Sequence, residues 1–183
     1  TTVYVRATGD AAILDARAPF LEGRSLEAHE MEAYLAPTHA LEDGTLFEHC
    51  RRAVEKAFQL GPRGLPRIGS GDWNDGFNRV GPGGRGESVW LAWFFIEVLR
   101  GFAELAELKG DHGLAARSIE RAEALAASID ARAWDGEWYT RAFFDEIAGP
   151  YIPDSRISPI WNPEFFGNVM MVNGNTWPFQ TVE

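Results

Sequence analysis

The sequence predicts a mainly α-helical protein that ends in an extended, proline-rich tail, and a change in composition near residue 141 carries this prediction. Residues 101–140 contain ten alanines, whereas residues 141–183 contain two alanines and five of the ten prolines. Alanine favours helix and proline interrupts it, so we expect a helical body followed by a non-helical tail. With 183 residues, 45% of them hydrophobic, the chain has room for one domain with a real core.

Three long helices and one short helix are predicted in the body from the spacing of apolar residues. The long helices cover about residues 46–60, 87–109 and 113–132, and the short one covers about residues 10–18. Thr45, with Glu48 three residues later, forms a capping-box pattern at the start of the first long helix. Gly110 closes the second. The first half of that second helix, residues 89–96, is apolar on every side, which predicts that it is buried between neighbouring elements.

The segments outside these helices are a glycine-rich loop and the tail. The loop covers about residues 61–86, and long loops in compact domains are usually functional. In the tail, residues 168–172 and 176–182 flank Asn173-Gly174, a dipeptide typical of a hairpin turn. The tail is therefore expected to contain a candidate β-hairpin.

Charge and composition exclude several classes of function. The formal net charge is −10, and an acidic surface disfavours general nucleic-acid binding, which needs basic groups. No apolar stretch approaches the roughly 20 residues that span a bilayer, and no leader pattern opens the chain. A single cysteine, Cys50, excludes an internal disulfide and favours a reducing, cytoplasmic location. Because the chain opens at Thr1 without a Met, we expect it to be part of a longer polypeptide.

The glycine-rich loop carries the residues best suited to chemistry. Asp72 and Asp75 flank Trp73 within the run Gly-Ser-Gly-Asp-Trp-Asn-Asp-Gly of residues 69–76. Trp offers a flat apolar face that suits a sugar ring, and burial beside it raises the pKa of a carboxyl group towards the range of a general acid. These features suit glycosidic-bond cleavage, in which the leaving oxygen receives a proton. The competing interpretation is that Asp and Asn occupy a glycine-rich turn because they tolerate its geometry.

The motif and its flanks resemble glycoside hydrolase family 94, the cellobiose and chitobiose phosphorylases and the phosphorylase-like domain of cyclic β-1,2-glucan synthases. The resemblance covers about residues 2–144. Besides the loop and the start of the next helix, over residues 64–94, it rests on Tyr-Val-Arg-Ala-Thr-Gly-Asp at 4–10, Pro-Phe-Leu-Glu-Gly at 19–23, Phe-Glu-His-Cys at 47–50 and Trp-Asp-Gly-Glu-Trp-Tyr at 134–139. It implies part of an (α/α)6 barrel, with about four of its twelve helices. It also implies inverting phosphorolysis of a β-glucosidic bond.

By motif position, the resemblance assigns the general acid to Asp75 and a wall of the sugar site to Trp73. Phosphate takes the place of an activated water, so one carboxylate suffices where an inverting hydrolase needs two. The remaining candidates for substrate binding are Asp72, Asn74, Arg79, Arg85 and Glu87. For Arg85, an ion pair with Glu87 at the helix start is favoured over a role in holding an anion. The expected partners are a β-linked glucosaccharide and phosphate, with no cofactor and no metal. The rest of a longer polypeptide, or a second copy of the chain, is a further expected partner.

The tail resembles a different family. Residues 141–183, including Gly-Pro-Tyr-Ile-Pro-Asp at 149–154, are similar to a segment of the multicopper oxidases. The tail contains no His and no Cys, so the ligands that copper prefers are absent from it. The sequence therefore predicts a phosphorylase-like region at residues 1–144 and a separate tail at residues 145–183.

Other interpretations stay open at this level. The chain is either a catalytic fragment or a non-catalytic carbohydrate-binding or assembly module, and the tail adds an oxidoreductase-related fragment as a third alternative. The four histidines show no metal-ligand spacing, so we expect surface or interhelical positions for them. The aromatic cluster in the second long helix, Trp90, Trp93, Phe94 and Phe95, is expected to pack in the core rather than to stack on a ligand.

Overall fold

The computed structural model describes residues 1–27, 30, 33–69 and 83–144, and the backbone of residues 151–152. The described part is mainly α-helical, as predicted. The elements are α1 (Thr2–Thr8), a 3-10 helix (Ala11–Asp15), β1 (Arg17–Glu22), β2 (Thr38–Thr45), α2 (Leu46–Ala57), β3 (Glu87–Ser88), α3 (Val89–Leu108), α4 (His112–Arg132), β4 (Ala142–Phe143) and β5 (Tyr151–Ile152). The candidate hairpin of the tail lies outside the described residues.

The chain divides into two compact units, and α3 and α4 contribute to both. The first unit contains residues 1–59 and 95–123, and the second contains residues 60–94 and 124–183. None of the helices in the described part is long and apolar enough to cross a membrane.

In the first unit, α1 and α2 contribute to a core with the second half of α3. Its buried apolar side chains include Val5, Leu14, Val54, Leu99, Phe102 and Leu114. Phe47 of α2 stacks on Phe102 with ring centroids 5.6 Å apart. Ion pairs on the surface of this unit include Arg6 with Glu104 and Arg121 with Glu55.

The first unit also contains a two-stranded antiparallel sheet that the sequence did not predict. β1 pairs with β2, and the register shifts between Pro19 and Leu21. Arg17 and Asp43 form an ion pair across the two strands. Most side chains of both strands are exposed, so the apolar alternation that reveals a half-buried strand is missing here.

In the second unit, β3, β4 and β5 form an antiparallel sheet in the order β3-β4-β5. Glu87 pairs with Phe143 and Ser88 with Ala142. The core beside this sheet contains buried apolar side chains from the loop, α3, α4 and β4, including Leu65, Ile68, Val89, Leu125, Ile129 and Ala142.

The three long helices are confirmed, with small corrections at their ends. Thr45 caps α2 as predicted, because its hydroxyl accepts a hydrogen bond from the Glu48 N–H at 3.1 Å. The start of α3 lies later than predicted, since residues 87–88 form β3 and the Ser88 hydroxyl accepts from the Leu91 N–H at 3.0 Å. Gly110 adopts a left-handed φ of 74° after α3, as the predicted helix closure requires.

Two predictions for the helices are wrong. The short helix at residues 10–18 is a 3-10 helix over Ala11–Asp15, because the chain enters β1 at Arg17. The first half of α3 is not buried on every side: Trp93 is 41% exposed and Phe94 is 46% exposed, whereas Phe95 is buried. The apolar composition of this helix therefore predicted more neighbouring elements around it than the structure shows.

Candidate functional site

The glycine-rich loop is tied together at its base by the backbone. The Ile68 N–H donates to the Gly86 carbonyl at 2.9 Å, and the Ser88 N–H donates to the Pro66 carbonyl at 2.9 Å. A further antiparallel bridge joins Arg67 to Glu87. Residues 66–68 and 86–88, which flank the motif in the sequence, therefore lie side by side.

A buried carboxylate stabilises this base. Glu87 is fully buried, and one of its oxygens, Oε1, accepts hydrogen bonds from the Arg63 N–H at 2.9 Å and the Leu65 N–H at 3.3 Å. The second oxygen, Oε2, accepts from Arg63 Nη1 at 3.0 Å. The carboxylate is thus both paired and hydrogen-bonded, which is the condition for burying a charge.

The fit around Glu87 leaves no room for a side chain at Gly61. A Cβ added there would overlap the carboxyl group of Glu87. The Gly61 N–H donates to the Leu65 carbonyl at 2.8 Å, so the turn between these residues wraps around the carboxylate. Glycine is required here because of a close approach, not because of an unusual dihedral angle.

These contacts correct the expectation for Glu87. The predicted ion pair with Arg85 is not the one that the structure shows, because the carboxylate is paired with Arg63, 24 residues earlier in the chain. The buried carboxylate accepts hydrogen bonds from Arg63 and from the Leu65 N–H, and its assignment to substrate binding stays a prediction. Arg85 is exposed and remains a candidate for holding an anion.

The other predicted site residues lie outside the described residues. These are Asp72, Trp73, Asn74, Asp75 and Arg79. The structure therefore describes the residues on either side of the motif, 66–68 and 86–88. The assignments within the motif stay predictions.

A second cluster of interest lies beside the sheet of the second unit. A cavity of about 110 Å³ opens there, lined by Val89, Trp90, Trp93, Tyr139, Thr140 and Arg141. The Arg141 guanidinium lies 4.7 Å from the centre of the Trp90 ring. The expectation that the aromatic cluster of α3 packs only in the core is therefore wrong for Trp93, which lines the cavity and is partly exposed.

Sequence reasoning missed the contribution of Tyr139 to this cavity. Its ring meets Trp93 edge-on at 5.6 Å and Trp134 at 4.9 Å. The Tyr139 hydroxyl donates to Asp130 Oδ1 at 2.7 Å, and this hydrogen bond raises the pKa of the phenol above its ordinary value. The signal was the aromatic-rich segment at residues 134–139, which entered the sequence analysis only as part of the family resemblance.

No metal site is found within the described ranges, where no three His, Cys, Asp or Glu residues cluster. Two histidines have identified contacts. His49 stacks on Phe20 at 4.1 Å and bonds the Ala18 carbonyl, and His112 bonds the Glu107 carboxylate at 2.6 Å. His29 lies outside the described residues.

Comparison with known proteins identifies the class. The chain is similar to carbohydrate-active proteins, and several of them carry the name phosphorylase. The model of the glycosyl hydrolase 94 superfamily, catalytic domain, matches residues 1–150, and the chain belongs to this superfamily.

Three curated relatives illustrate the similarity. The chain is 40% identical over 144 residues to the cyclic beta-(1,2)-glucan synthase NdvB of Rhizobium meliloti (strain 1021), a match that covers 78% of this chain and 5% of that protein. It is 35% identical over 144 residues to the solabiose phosphorylase of Paenibacillus borealis, covering 78% of this chain and 16% of the relative. It is 31% identical over 163 residues to the cellobionic acid phosphorylase of Neurospora crassa, covering 88% and 18% respectively. The chain thus spans less than a fifth of the length of each of these relatives.

A separate, short similarity involves the other family that the tail resembles. Over 27 residues the chain is 56% identical to the multicopper oxidase LPR1 homolog 3 of Oryza sativa subsp. japonica, which is 15% of this chain and 5% of that protein. The superfamily match itself runs six residues past the predicted boundary at residue 144. The position of that boundary stays a prediction.

Proposed function

We propose that the chain is a segment of an (α/α)6-barrel phosphorylase that cleaves β-glucosidic bonds by transferring the glycosyl group to phosphate with inversion. Asp75 is the general acid in this proposal and protonates the leaving glycosidic oxygen. Membership of the superfamily supports the reaction class, and the phosphorylase names of the relatives support sugar and phosphate as substrates.

The observation that carries the proposal is the tied base of the motif-bearing loop. A general acid must be held within hydrogen-bond reach of the leaving oxygen, and small displacements lower the rate strongly. The backbone bonds between residues 66–68 and 86–88 hold both ends of the loop at one place. The buried carboxylate of Glu87 adds hydrogen bonds from Arg63 and Leu65 to this base.

The remaining motif residues receive supporting roles. Trp73 presents its face to the sugar ring at the cleaved bond, and Asp72 and Asn74 bind sugar hydroxyl groups. Arg79 and the exposed Arg85 are cations on the same loop, so they are suited to the phosphate or to the charge that develops on it. No cofactor is needed, because phosphate itself is the nucleophile.

The chain covers a small part of its relatives, so further residues of a complete enzyme belong to this proposal. Much of the catalysis in such an enzyme comes from positioning and from phosphate binding. We therefore expect weak or no activity from residues 1–183 alone and full activity from the full-length protein. We further propose that it acts in the cytoplasm, where its single cysteine stays reduced.

The test is formation of a sugar 1-phosphate by the full-length protein from phosphate and a panel of β-linked disaccharides and β-1,2-glucan oligomers. Asp75→Asn keeps the shape of the side chain and removes the acid, so we expect turnover to fall by roughly 10²–10⁴-fold. Asp15→Asn is the matched control, because Asp15 is exposed, and both it and its partner Lys109 belong to the first unit, whereas Asp75 belongs to the second. Turnover by Asp75→Asn at the level of the control variant would refute the assignment.

A non-catalytic carbohydrate-binding module is the alternative that the same assay separates. It predicts saccharide binding without any phosphate-dependent product. This alternative would be favoured if the parent and the control variant both bind the disaccharide and neither forms the sugar 1-phosphate.

A further inference from the structure

The cavity beside the sheet of the second unit combines a partly exposed aromatic wall with a small number of polar groups. The cavity has a volume of about 110 Å³ and is open to solvent on one side. A ring that enters from the open side would therefore lie partly inside the cavity and partly outside it. Ligand sites are typically larger, about 300–1,000 Å³, and this cavity shares with them an apolar and aromatic lining with a few fixed polar groups.

The aromatic wall is held in place by its neighbours. Trp93, 41% exposed, meets the Tyr139 ring at an interplanar angle of 84°. Tyr139 is fixed in turn by its hydrogen bond to Asp130 and by its contact with Trp134. The partly exposed indole is the part of the wall best suited to contact a flat, apolar surface of a ligand.

The polar groups come from the two residues that follow Tyr139. The Arg141 guanidinium packs over Trp90, and its several N–H groups make it a donor suited to hydroxyl oxygens. The Thr140 side chain is 5% exposed, and its hydroxyl has no hydrogen-bond partner in the part of the chain that the structure describes. The Val89 N–H donates to the Arg141 carbonyl at 2.9 Å, which fixes this edge of the cavity to the start of α3.

We propose that this cavity binds one pyranose ring of a saccharide, with the C–H face of the ring against Trp93 and its hydroxyl groups towards Arg141 and Thr140. A pyranose has an apolar face and a rim of hydroxyl groups, which matches an indole wall with polar groups at its edge. A phosphate-bearing base would also stack on an indole, but the net charge of −10 disfavours it. The choice of a β-linked glucosaccharide as the source of the ring rests on the proposed function.

The test measures binding of cellobiose and of the β-1,2-linked disaccharide sophorose to the full-length protein by ligand-observed NMR. The measurements are made in a Trp73→Ala background, which removes the predicted sugar platform of the loop. In this background we expect Trp93→Ala to weaken binding about five- to tenfold, because the stacked indole is lost. Trp138→Ala is the matched control, since Trp138 is similarly exposed at 43% but does not line the cavity, and it is expected to leave the affinity unchanged.

Equal affinities of the Trp93→Ala and Trp138→Ala proteins, each with the circular dichroism spectrum of the parent, would overturn the proposal. If Trp93→Ala perturbs the fold, Trp93→Leu keeps an apolar side chain without the flat face, and retention of full affinity by that variant would also overturn it. Failure here is distinct from failure of the proposed function. The latter is read from phosphate-dependent product and its loss in Asp75→Asn, not from binding in the Trp73→Ala background.

Discussion

Two threonine hydroxyl groups have opposite hydrogen-bonding states, so removing them is expected to change stability in opposite directions. The Thr45 hydroxyl caps α2 by accepting from the Glu48 N–H. The Thr140 hydroxyl is buried without a partner among the described residues. A buried polar group without a hydrogen bond costs free energy on folding, whereas a helix cap contributes to it.

Thr140→Val replaces the hydroxyl with a methyl group of similar size and is expected to raise the free energy of unfolding by about 1 kcal/mol. Thr45→Val is the matched substitution and is expected to lower it by about 1 kcal/mol. Urea unfolding followed by circular dichroism measures both. A loss of stability in Thr140→Val would show that the hydroxyl does have a stabilising partner.

The ion-pair partner of Glu87 could not be predicted from nearby residues in the sequence. From the sequence, an ion pair between Arg85 and Glu87 at the helix start was favoured over a role of Arg85 in holding an anion. The structure pairs Glu87 with Arg63, which the turn at Gly61 brings close. Such a choice between two arginines depends on non-local packing, so local spacing did not determine it.

At the scale of elements, α2 has a charge cluster that makes its stability depend on pH. Arg51 and Arg52 both donate to the Glu48 carboxylate, at 2.7 and 2.8 Å, and these hydrogen bonds lower the pKa of Glu48 from about 4.5 to about 2. A carboxyl group with a lowered pKa in the folded state contributes stability above its unfolded pKa. That contribution is lost as the pH falls from about 4.5 to about 2.

Glu48→Gln is therefore expected to lower the free energy of unfolding at pH 7 by about 0.5–1 kcal/mol, since the pairs are only partly buried. The difference from the parent should shrink below pH 4.5 and vanish near pH 2. Denaturant unfolding at several pH values measures this. A difference that stays constant across this range would contradict the assignment of the effect to the carboxylate charge.

The base of the loop is the element whose disruption links stability to activity. Gly61→Ala places a Cβ against the Glu87 carboxylate, so we expect a loss of about 1–3 kcal/mol in the free energy of unfolding together with a lower kcat. Gly84→Ala tests the opposite edge of the loop, where an added Cβ meets nothing within 4 Å but the φ of 73° is unfavourable for alanine. The stability cost there is expected to be about 1 kcal/mol.

Thermal unfolding and steady-state kinetics on the full-length protein compare the two glycine variants. A kcat for Gly61→Ala equal to that of the parent would mean that the Glu87 contacts do not position the loop. The Gly84→Ala variant shows how much of any loss comes from backbone strain alone.

The long helices were predictable because their signals are local. The periodicity of α2 and α4, the Thr45 cap and the closing Gly110 all lie within a few residues of the element they define. The sheet of β1 and β2 was not predictable in this way, because its exposed strands show no alternation and pair across 15 intervening residues. The exposure of Trp93 was missed for a related reason, since the hydrophobicity of a helix does not reveal how many neighbours surround it.

At the scale of the whole molecule, the candidate site was predictable only as a motif. Its chemistry came from the resemblance carried by residues 64–94, and the superfamily match confirms that resemblance. The motif did not indicate which contacts hold the segments on either side of it. These contacts are made by the buried Glu87 carboxylate and by two backbone hydrogen bonds whose donors and acceptors are about 20 residues apart.

We propose that the full-length protein transfers a glycosyl group to phosphate with inversion at the anomeric carbon. Proton NMR of the first product that it forms from a β-linked glucose disaccharide and phosphate distinguishes inversion from retention. We expect α-glucose 1-phosphate, formed only when phosphate is present and absent from the Asp75→Asn variant. Formation of β-glucose 1-phosphate, or release of free glucose without phosphate, would refute the proposal.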